Sequence, residues 1–253
     1  MIPTTLLPEL EAIARRAGEV ILEVYRGDFG ARTKADASPV TEADERAEAV
    51  IVAALRALTP AIPVVAEEEV ARGGCPAVGN EFWLVDPLDG TKEFISRNGE
   101  FTINIALVQG GAPVLGVVLA PALGRLFSGA VGAGAVLEDA AGRRPITVRA
   151  VPAEGLTVVG SRSHGDAAAL DAFLGGRKVA ALSAAGSSLK FCLLAAGEAD
   201  LYPRLGRTME WDIAAGHAVL AAAGGRVTRL DGTPMGYGKP GFENPHFVAS
   251  GGA

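Results

Sequence analysis

The sequence predicts an α/β protein in which an α+β first half is followed by an α/β second half. Residues 1–60 carry two apolar stripes at helical spacing, and residues 61–150 carry short apolar runs separated by turns. From residue 151 onward, strand-like and helix-like segments alternate. Apolar residues every third or fourth position indicate a helix packed on one face, whereas strict alternation indicates a half-buried strand.

Two helices open the chain. The first has an apolar stripe from Leu10 to Val24, and the second begins near Thr41 and ends at Thr59-Pro60. The second helix ends there because proline disfavours helical backbone in the residue before it. The apolar runs that follow predict an antiparallel sheet, with strands at 62–66, 82–85, 101–107, 114–119, 126–131 and 134–137.

The second half alternates between strands and helices. Strands are predicted at 156–160, 179–182, 199–202, 226–230 and 247–250. Helices are predicted at 166–174, 187–196 and 211–223. Such alternation is typical of an α/β layer. We place the boundary near residue 150, which gives regions 1–150 and 151–253. No Ser/Pro-rich linker separates them, so we expect one rigid unit.

Composition excludes several classes of protein. With 253 residues, 49% hydrophobic and 21% charged, the chain is not disordered. Its net charge of −6 argues against a nucleic-acid binder, which needs a basic face. The cysteines Cys75 and Cys192 are too few for a disulfide framework, and we expect Cys192 to be a buried free thiol.

The sequence predicts a cytoplasmic protein with no transmembrane segment. The N-terminus lacks a basic region followed by an apolar stretch, which a signal peptide would have. Residues 101–124 are uncharged but contain two prolines and a Gly-Gly pair, so they predict a buried hairpin. Peripheral attachment to the inner membrane and assembly into a homodimer stay open.

Three acidic clusters lie at the ends of predicted elements: Glu67 to Glu69, Asp86 with Asp89, and Asp212. Each alone has an ordinary explanation as a solvated loop, a turn or a helix start. Together they predict a site for hard cations such as Mg²⁺, because the rigid loop 87–90 lets Asp86 and Asp89 face one point. Two such ions hold the attacking and leaving oxygens of a phosphoryl displacement. Bound metal also lets an acidic protein bind a polyanion.

These residues also carry a family resemblance. Residues 83–94, Trp-Leu-Val-Asp-Pro-Leu-Asp-Gly-Thr-Lys-Glu-Phe, resemble the first signature of the inositol monophosphatase superfamily. Residues 211–216, Trp-Asp-Ile-Ala-Ala-Gly, resemble the second, and Glu67-Glu68 matches the upstream acidic pair. The resemblance spans essentially the whole chain. It implies a layered α/β/α/β/α fold of the sugar-phosphatase type. It also implies lithium-sensitive hydrolysis of phosphate monoesters with two or three Mg²⁺ ions.

The resemblance assigns roles to individual residues. The metal ligands would be Glu67, Asp86, the carbonyl of Leu88, Asp89 and Asp212. Substrate would also contact Glu67, Leu88, Asp89, Gly90, Thr91 and Asp212. Thr91 would orient the attacking water and Asp44 would pair with its hydroxyl, as catalytic residues. Thr41-x-x-Asp44 also predicts a capping box, and both roles of Asp44 can coexist. His217 lies about 140° around the helix from Asp212 and is expected to point away from the metals.

The second half bears on the choice of substrate. Residues 186–190, Gly-Ser-Ser-Leu-Lys, begin a helix and form an anion cradle from free N–H groups, hydroxyls and a lysine. The alternative is an N-cap serine and a surface lysine. With Ser161-Arg162-Ser163-His164 and Tyr202-Pro203-Arg204, this segment resembles bacterial 3′(2′),5′-bisphosphate nucleotidases. That resemblance implies adenine stacking by His164 and a 5′-phosphate held by Ser187, Lys190 and Arg204.

The preferred function is therefore hydrolysis of the 3′-phosphate of 3′-phosphoadenosine 5′-phosphate, a small phosphate ester, to AMP and phosphate. This would clear a by-product of sulfate activation. Ala222 stands where the inositol-type signature has Glu, which weakens the competing interpretation as an inositol monophosphatase. A fructose-1,6-bisphosphatase and a non-catalytic metal or nucleotide sensor also stay open. The complete set of acidic residues argues against the sensor.

Overall fold

The computed structural model describes residues 4–33, 39–161 and 167–252. Its N-terminal part consists of helix α1 (Leu7–Arg26), the short strands β1 (Ala31–Thr33) and β2 (Pro39–Thr41), and helix α2 (Glu42–Leu58). Both predicted helices are present. The capping box at Thr41 starts α2, since Thr41 Oγ1 accepts from Ala43 N at 3.2 Å and Asp44 Oδ2 accepts from Thr41 N at 2.8 Å.

A seven-stranded sheet follows. Its strands, in spatial order, are β3 (Val64–Ala66), β4 (Glu81–Asp89), β5 (Thr102–Gln109), β6 (Ala112–Ala120), β7 (Arg125–Ala130), β8 (Gly134–Asp139) and β9 (Gly142–Ile146). Two five-residue helices interrupt it: α3 (Glu67–Ala71) after β3 and α4 (Thr91–Ile95) after β4. The predicted hairpin of residues 101–124 is present as β5 and β6. The prediction of a purely antiparallel sheet is wrong at β3 and β4, which are parallel because α3 carries the chain back between them.

The second half contains β10 (Leu156–Ser161), α5 (Ala167–Leu174), β11 (Val179–Ala185), α6 (Leu189–Ala195), β12 (Leu201–Arg204), α7 (Glu210–Ala222), β13 (Arg226–Arg229) and β14 (Phe247–Ser250). These strands form a five-stranded sheet in the order β11-β10-β12-β14-β13. β10 is parallel to β11 and β12, whereas β14 is antiparallel to β12 and β13.

The elements stack in five layers. Helices α1 and α2 cover one face of the seven-stranded sheet, while α6 and α7 lie between the two sheets and α5 covers the far face of the second sheet. Close packing between α7 and the first sheet requires Gly116 in β6, because a Cβ there would lie 2.3 Å from the carbonyl oxygen of Ala215. The predicted α/β/α/β/α architecture is confirmed. Cys192 is a buried free thiol, as predicted. Within the described ranges, no helix is both long and apolar enough to cross a membrane.

Candidate active site

A bulge in β4 brings Asp86 and Asp89 to one face of the sheet. Asp86 is paired with Asn104 of β5, and Asp89 is paired with Thr102. The step is therefore three residues in β4 but two in β5. Without this extra residue the two side chains would point to opposite faces, since side chains alternate along a strand. Pro87 is tolerated here because a bulge needs no ladder hydrogen bond from it.

The loop after the bulge is held by its own backbone. Asp86 is buried, and its Oδ1 accepts from Leu88 N at 3.0 Å. Gly90 has a φ of +93°, and a Cβ at this position would lie 2.3 Å from Ser187 Oγ. Only glycine fits both the backbone conformation and this close approach. The chain then enters α4 at Thr91.

Thr91 and Asp44 are in contact. Thr91 Oγ1 lies 3.2 Å from Asp44 Oδ1, to which it donates, and 3.4 Å from the carbonyl oxygen of Leu88. The other carboxylate oxygen, Asp44 Oδ2, accepts from Thr41 N at 2.8 Å and from Thr41 Oγ1 at 2.6 Å. Each oxygen of Asp44 therefore has one of the two functions that the sequence suggested, helix capping and contact with Thr91.

A cleft of about 490 Å³ lies next to this loop. The predicted site residues in its walls are Glu67, Asp89, Gly90, Thr91, Ser187, Lys190, Arg204 and Asp212. Asp44, Asp86 and Leu88 are buried and are not among the described residues that line it. His164 lies outside the described residues, so its contact with a base stays a prediction.

Two carboxyl groups of the cleft, Asp89 and Asp212, have a raised pKa. Desolvation, together with the negative charges of Glu93 and Glu67, raises the pKa of Asp89 to about 6, although Lys190 and the N–H of Ser188 oppose this. The pKa of Asp212 is raised well above its usual value by desolvation and by the charges of Asp89 and Glu67. We call Glu67, Asp89 and Asp212 the acidic cluster of the cleft.

Asp212 is positioned by the start of α7. It is the third residue of that helix, and its Oδ2 accepts from Met209 N at 2.8 Å. His217, further along α7, is not among the described residues that line the cleft, as predicted: it is partly buried, and its Nδ1 lies 2.9 Å from the hydroxyl of Tyr237. Desolvation lowers the pKa of His217 to about 4, so its imidazole is neutral at pH 7.

The turn at residues 186–188 binds protein groups. Gly186 N donates to Glu100 Oε2 at 2.9 Å, and Ser188 N donates to the Asp89 carboxylate. The hydroxyl of Ser187 lies 2.8 Å from the carbonyl oxygen of Asp89 and 2.7 Å from that of Glu100. The prediction of free N–H groups in an anion cradle is therefore wrong for Gly186 and Ser188, because carboxylates of the first half already accept from them. The prediction that Ser187 donates to a phosphate also lacks geometric support, since its single proton is directed at these carbonyls.

Lys190 is buried beside this turn. It is 4% exposed, so the alternative of a surface lysine is wrong. Its Nζ donates to the carbonyl oxygens of Ala185, at 3.1 Å, and Ser187, at 2.5 Å. Because an ammonium has three protons, it can also donate to a ligand in the cleft. Burial lowers the pKa of Lys190 to about 8, and the Asp89 charge opposes that shift.

Two arginines also line the cleft. Arg204 donates from its Nη2 to the carbonyl oxygen of Arg207 at 3.0 Å, and its buried Nε has no hydrogen-bond partner among the described residues. Arg207 also lines the cleft and is paired with Glu243 at 3.2 Å. The sequence analysis did not predict Arg207 as a site residue. The one available signal was that it follows Arg204 by three residues. We call Lys190, Arg204 and Arg207 the basic cluster of the cleft.

Comparison with known proteins identifies the family. The model of the Inositol monophosphatase family matches residues 3–250. The chain belongs to this family. Over 248 residues, which are 97% of this chain and 99% of the relative, it is 48% identical to the 3′(2′),5′-bisphosphate nucleotidase CysQ of Escherichia coli strain K12. It is 36% identical to the protein of that name from Aggregatibacter actinomycetemcomitans, over 98% of this chain and 93% of the relative.

Solved structures of the inositol monophosphatase family show the same fold. CysQ from Bacteroides thetaiotaomicron has a TM-score of 0.80 at 37% identity and covers 97% of each chain. The inositol monophosphatase from Anabaena has a TM-score of 0.76 at 28% identity, covering 98% of this chain and 91% of that one.

Members of the inositol monophosphatase family are metal-dependent phosphatases that generally use Mg²⁺. The cleft suits such an ion, because its acidic cluster consists of hard oxygen donors whose mutual repulsion a cation relieves. Among the described residues, no three Asp, Glu, His or Cys side chains already meet in the geometry of one coordination sphere. The individual ligands therefore stay predictions.

Proposed function

We propose that this chain is a Mg²⁺-dependent phosphatase that removes the 3′-phosphate of 3′-phosphoadenosine 5′-phosphate, giving AMP and phosphate. One observation carries the proposal: a single cleft is lined by both the acidic cluster and the basic cluster. A substrate with two phosphates can present one to each. The near-full-length similarity to bacterial bisphosphate nucleotidases supports the same substrate class. Clearing this nucleotide would serve sulfate activation.

The residues that would hold the ions are Glu67, Asp86, Asp89 and Asp212 through their carboxylates and Leu88 through its carbonyl. Bound Mg²⁺ supplies Lewis-acid chemistry, which reduces the charge on the phosphate and lowers the pKa of the attacking water. We propose two or three ions. The bulge in β4 positions Asp86 and Asp89, and the hydrogen bond from Met209 N positions Asp212.

Thr91 and Asp44 orient the attacking water. Because the Thr91 hydroxyl proton is directed at Asp44 Oδ1, the lone pairs of Thr91 Oγ1 can accept a hydrogen bond from the water and so orient it. Thr41 fixes the other oxygen of Asp44, so the carboxylate cannot rotate away without losing two hydrogen bonds. No histidine is needed, which agrees with the neutral state of His217 and its position outside the cleft lining.

Lys190 and Arg204 select substrates with a second phosphate. The Lys190 ammonium is fixed by two carbonyls, so little side-chain entropy is lost when it contacts a phosphate. The unpartnered Nε of Arg204 supplies a second donor. Stacking of His164 on the adenine completes the proposed recognition. An inositol monophosphatase is the less supported alternative, since its substrate has no second phosphate to occupy the basic cluster.

Relative kcat/KM values for phosphate release test this function. The substrates are 3′-phosphoadenosine 5′-phosphate, 3′-AMP, inositol 1-phosphate and fructose 1,6-bisphosphate, each with saturating Mg²⁺. We expect the adenosine bisphosphate to be preferred over all the others. Equal or better hydrolysis of inositol 1-phosphate would overturn the nucleotidase, and no hydrolysis of any substrate would favour the sensor. Asp89→Asn, prepared identically, controls for contaminating phosphatases. Location in the cytoplasm and assembly into a homodimer stay predictions.

A further inference from the structure

Helix α3 carries Glu67 as its first residue but cannot cap itself. It has only five residues, and its N-cap residue is Ala66, whose side chain has no hydrogen-bonding atom. The first N–H groups of a helix have no partners within it. A helix this short is also marginal in isolation. The position of Glu67 therefore depends on groups outside α3.

Glu48 of α2 supplies these contacts at both ends of α3. Its Oε2 accepts from Glu68 N, in the first turn, at 2.6 Å. Its Oε1 accepts from Nη2 of Arg72, the C-cap residue of α3, at 2.7 Å. The Glu48 side chain is 3% exposed, so its hydrogen bond with Glu68 N is buried, whereas the one with the half-exposed Arg72 is partly buried. One carboxylate thus holds the helix that bears Glu67.

The placement of Glu48 on α2 relates it to the catalytic loop. Glu48 follows Asp44 by four residues, so both carboxylates lie on the same face of α2. Asp44 contacts Thr91, while Glu48 contacts the first turn of α3. Helix α2 therefore sets the position of Thr91 relative to Glu67.

Stability alone does not account for a buried Glu48. Its ion-pair partner Arg72 is 55% exposed, so solvent weakens the attraction between the two charges. The buried carboxylate still loses its hydration free energy. Replacement of a buried ion pair by apolar side chains is often neutral or stabilising. The presence of a carboxylate at position 48 is explained by its orientation of helix α3.

We propose that Glu48 is a positioning residue for the metal site, which it serves through α3 without contacting metal or substrate. This rests on the proposed function, in which Glu67 is a metal ligand. Groups that hydrogen-bond to metal ligands typically contribute about 10- to 100-fold to metal affinity, and Glu48 acts on the residue next to the proposed ligand Glu67. The loss of Glu48 should therefore weaken Mg²⁺ binding, while chemistry at saturating Mg²⁺ is largely retained.

The test compares Glu48→Ala, Glu48→Gln and the control Glu42→Gln, an exposed carboxylate on the same helix that pairs with Arg46. Mg²⁺ dissociation constants are measured by calorimetry on metal-free protein, together with kcat at saturating Mg²⁺ and the melting temperature. We expect Glu48→Ala to raise the dissociation constant on the order of 10- to 100-fold. Glu48→Gln, which keeps an acceptor for Glu68 N, should lie between it and wild type. Glu42→Gln should match wild type.

Unchanged Mg²⁺ affinity in Glu48→Ala with a lower melting temperature would overturn the proposal, since Glu48 would then be purely structural. A fall in kcat at saturating Mg²⁺ without a change in affinity would also overturn it. If Glu48→Ala does not fold, Glu48→Gln and Arg72→Met provide the same comparison, because Arg72 is the half-exposed end of the contact. Failure of the proposed function is separate: wild-type protein would then bind no Mg²⁺ or hydrolyse a different ester.

Discussion

Replacing Lys190 by methionine separates two functions of this residue. Methionine retains most of the side-chain volume but has no charge and no N–H protons. Two losses follow. The carbonyl oxygens of Ala185 and Ser187 lose their donor with every substrate, whereas a contact with a second phosphate is lost only with bisphosphates.

The two losses have different magnitudes in the assay. A buried carbonyl left without a donor costs about 1–3 kcal/mol, which lowers stability and affects all substrates alike. A charge-assisted hydrogen bond to a phosphate is worth about 1.5–3 kcal/mol, or roughly 10- to 150-fold in kcat/KM. Because Lys190 is 4% exposed, solvent does not screen this contact strongly.

The assay measures phosphate release from 3′-phosphoadenosine 5′-phosphate, 3′-AMP and inositol 1-phosphate at saturating Mg²⁺. We expect Lys190→Met to lose an additional factor of roughly 10- to 150-fold with the bisphosphate alone. Lys178→Met, a change at an exposed lysine, is the control. An equal loss with all three substrates would refute the recognition role and leave Lys190 as support for the turn beside Asp89. No loss with any substrate would refute both roles.

Three further predictions concern the metal site and the fold. Asp89→Asn should retain the circular dichroism of wild type but lower kcat roughly 100-fold or more at saturating Mg²⁺, since metal stabilisation of the transition state is worth several kcal/mol. Li⁺ at tens of millimolar, roughly, should inhibit phosphate release by occupying a Mg²⁺ position with half the charge; insensitivity would count against the acidic cluster. Asp200→Asn should lower the free energy of unfolding by about 2 kcal/mol at pH 7, because Arg149 loses its charge-assisted hydrogen bonds to a buried carboxylate. Hydrogen bonds from Arg149 lower the pKa of Asp200, so its contribution is present above the usual value of 3.8 and is lost below it. Denaturation curves should therefore show the difference shrinking as the pH falls below 3.8; a constant difference would contradict this origin.

The layered fold was predictable because long periodic segments define its main elements. The missed elements lack that signal. The sequence of helix α3 is typical of an acidic loop, because Glu67 to Glu69 form no apolar stripe and the side chain of Ala66 cannot cap a helix. Strand β9 is mostly exposed and begins Gly-Arg-Arg-Pro, so it shows no alternation of apolar and polar residues. Both depend on tertiary contacts instead of local preference.

The sequence predicted those parts of the candidate site whose residues lie close together in the chain. It did not predict contacts between residues that are far apart in the chain. The grouping of Asp86 with Asp89 follows from a short rigid loop. The partners of residues 186–188 could not be found this way, because Glu100 lies 86 residues from Gly186. Glu48 carries no sequence signal of its own, because its partner Glu68 lies 20 residues away in the chain.

The turn at residues 186–188 forms hydrogen bonds with residues of both the acidic and the basic cluster. Its Ser187 hydroxyl and Ser188 N–H bind the backbone and carboxylate of Asp89, while Lys190 donates to the Ser187 carbonyl. The cation that would select a second phosphate therefore also stabilises the segment that holds a proposed metal ligand. A substitution in this turn changes both functions, and a fall in activity with one substrate does not tell them apart. Because the metal-site contribution is common to all substrates at saturating Mg²⁺, the difference between substrates for one variant isolates recognition.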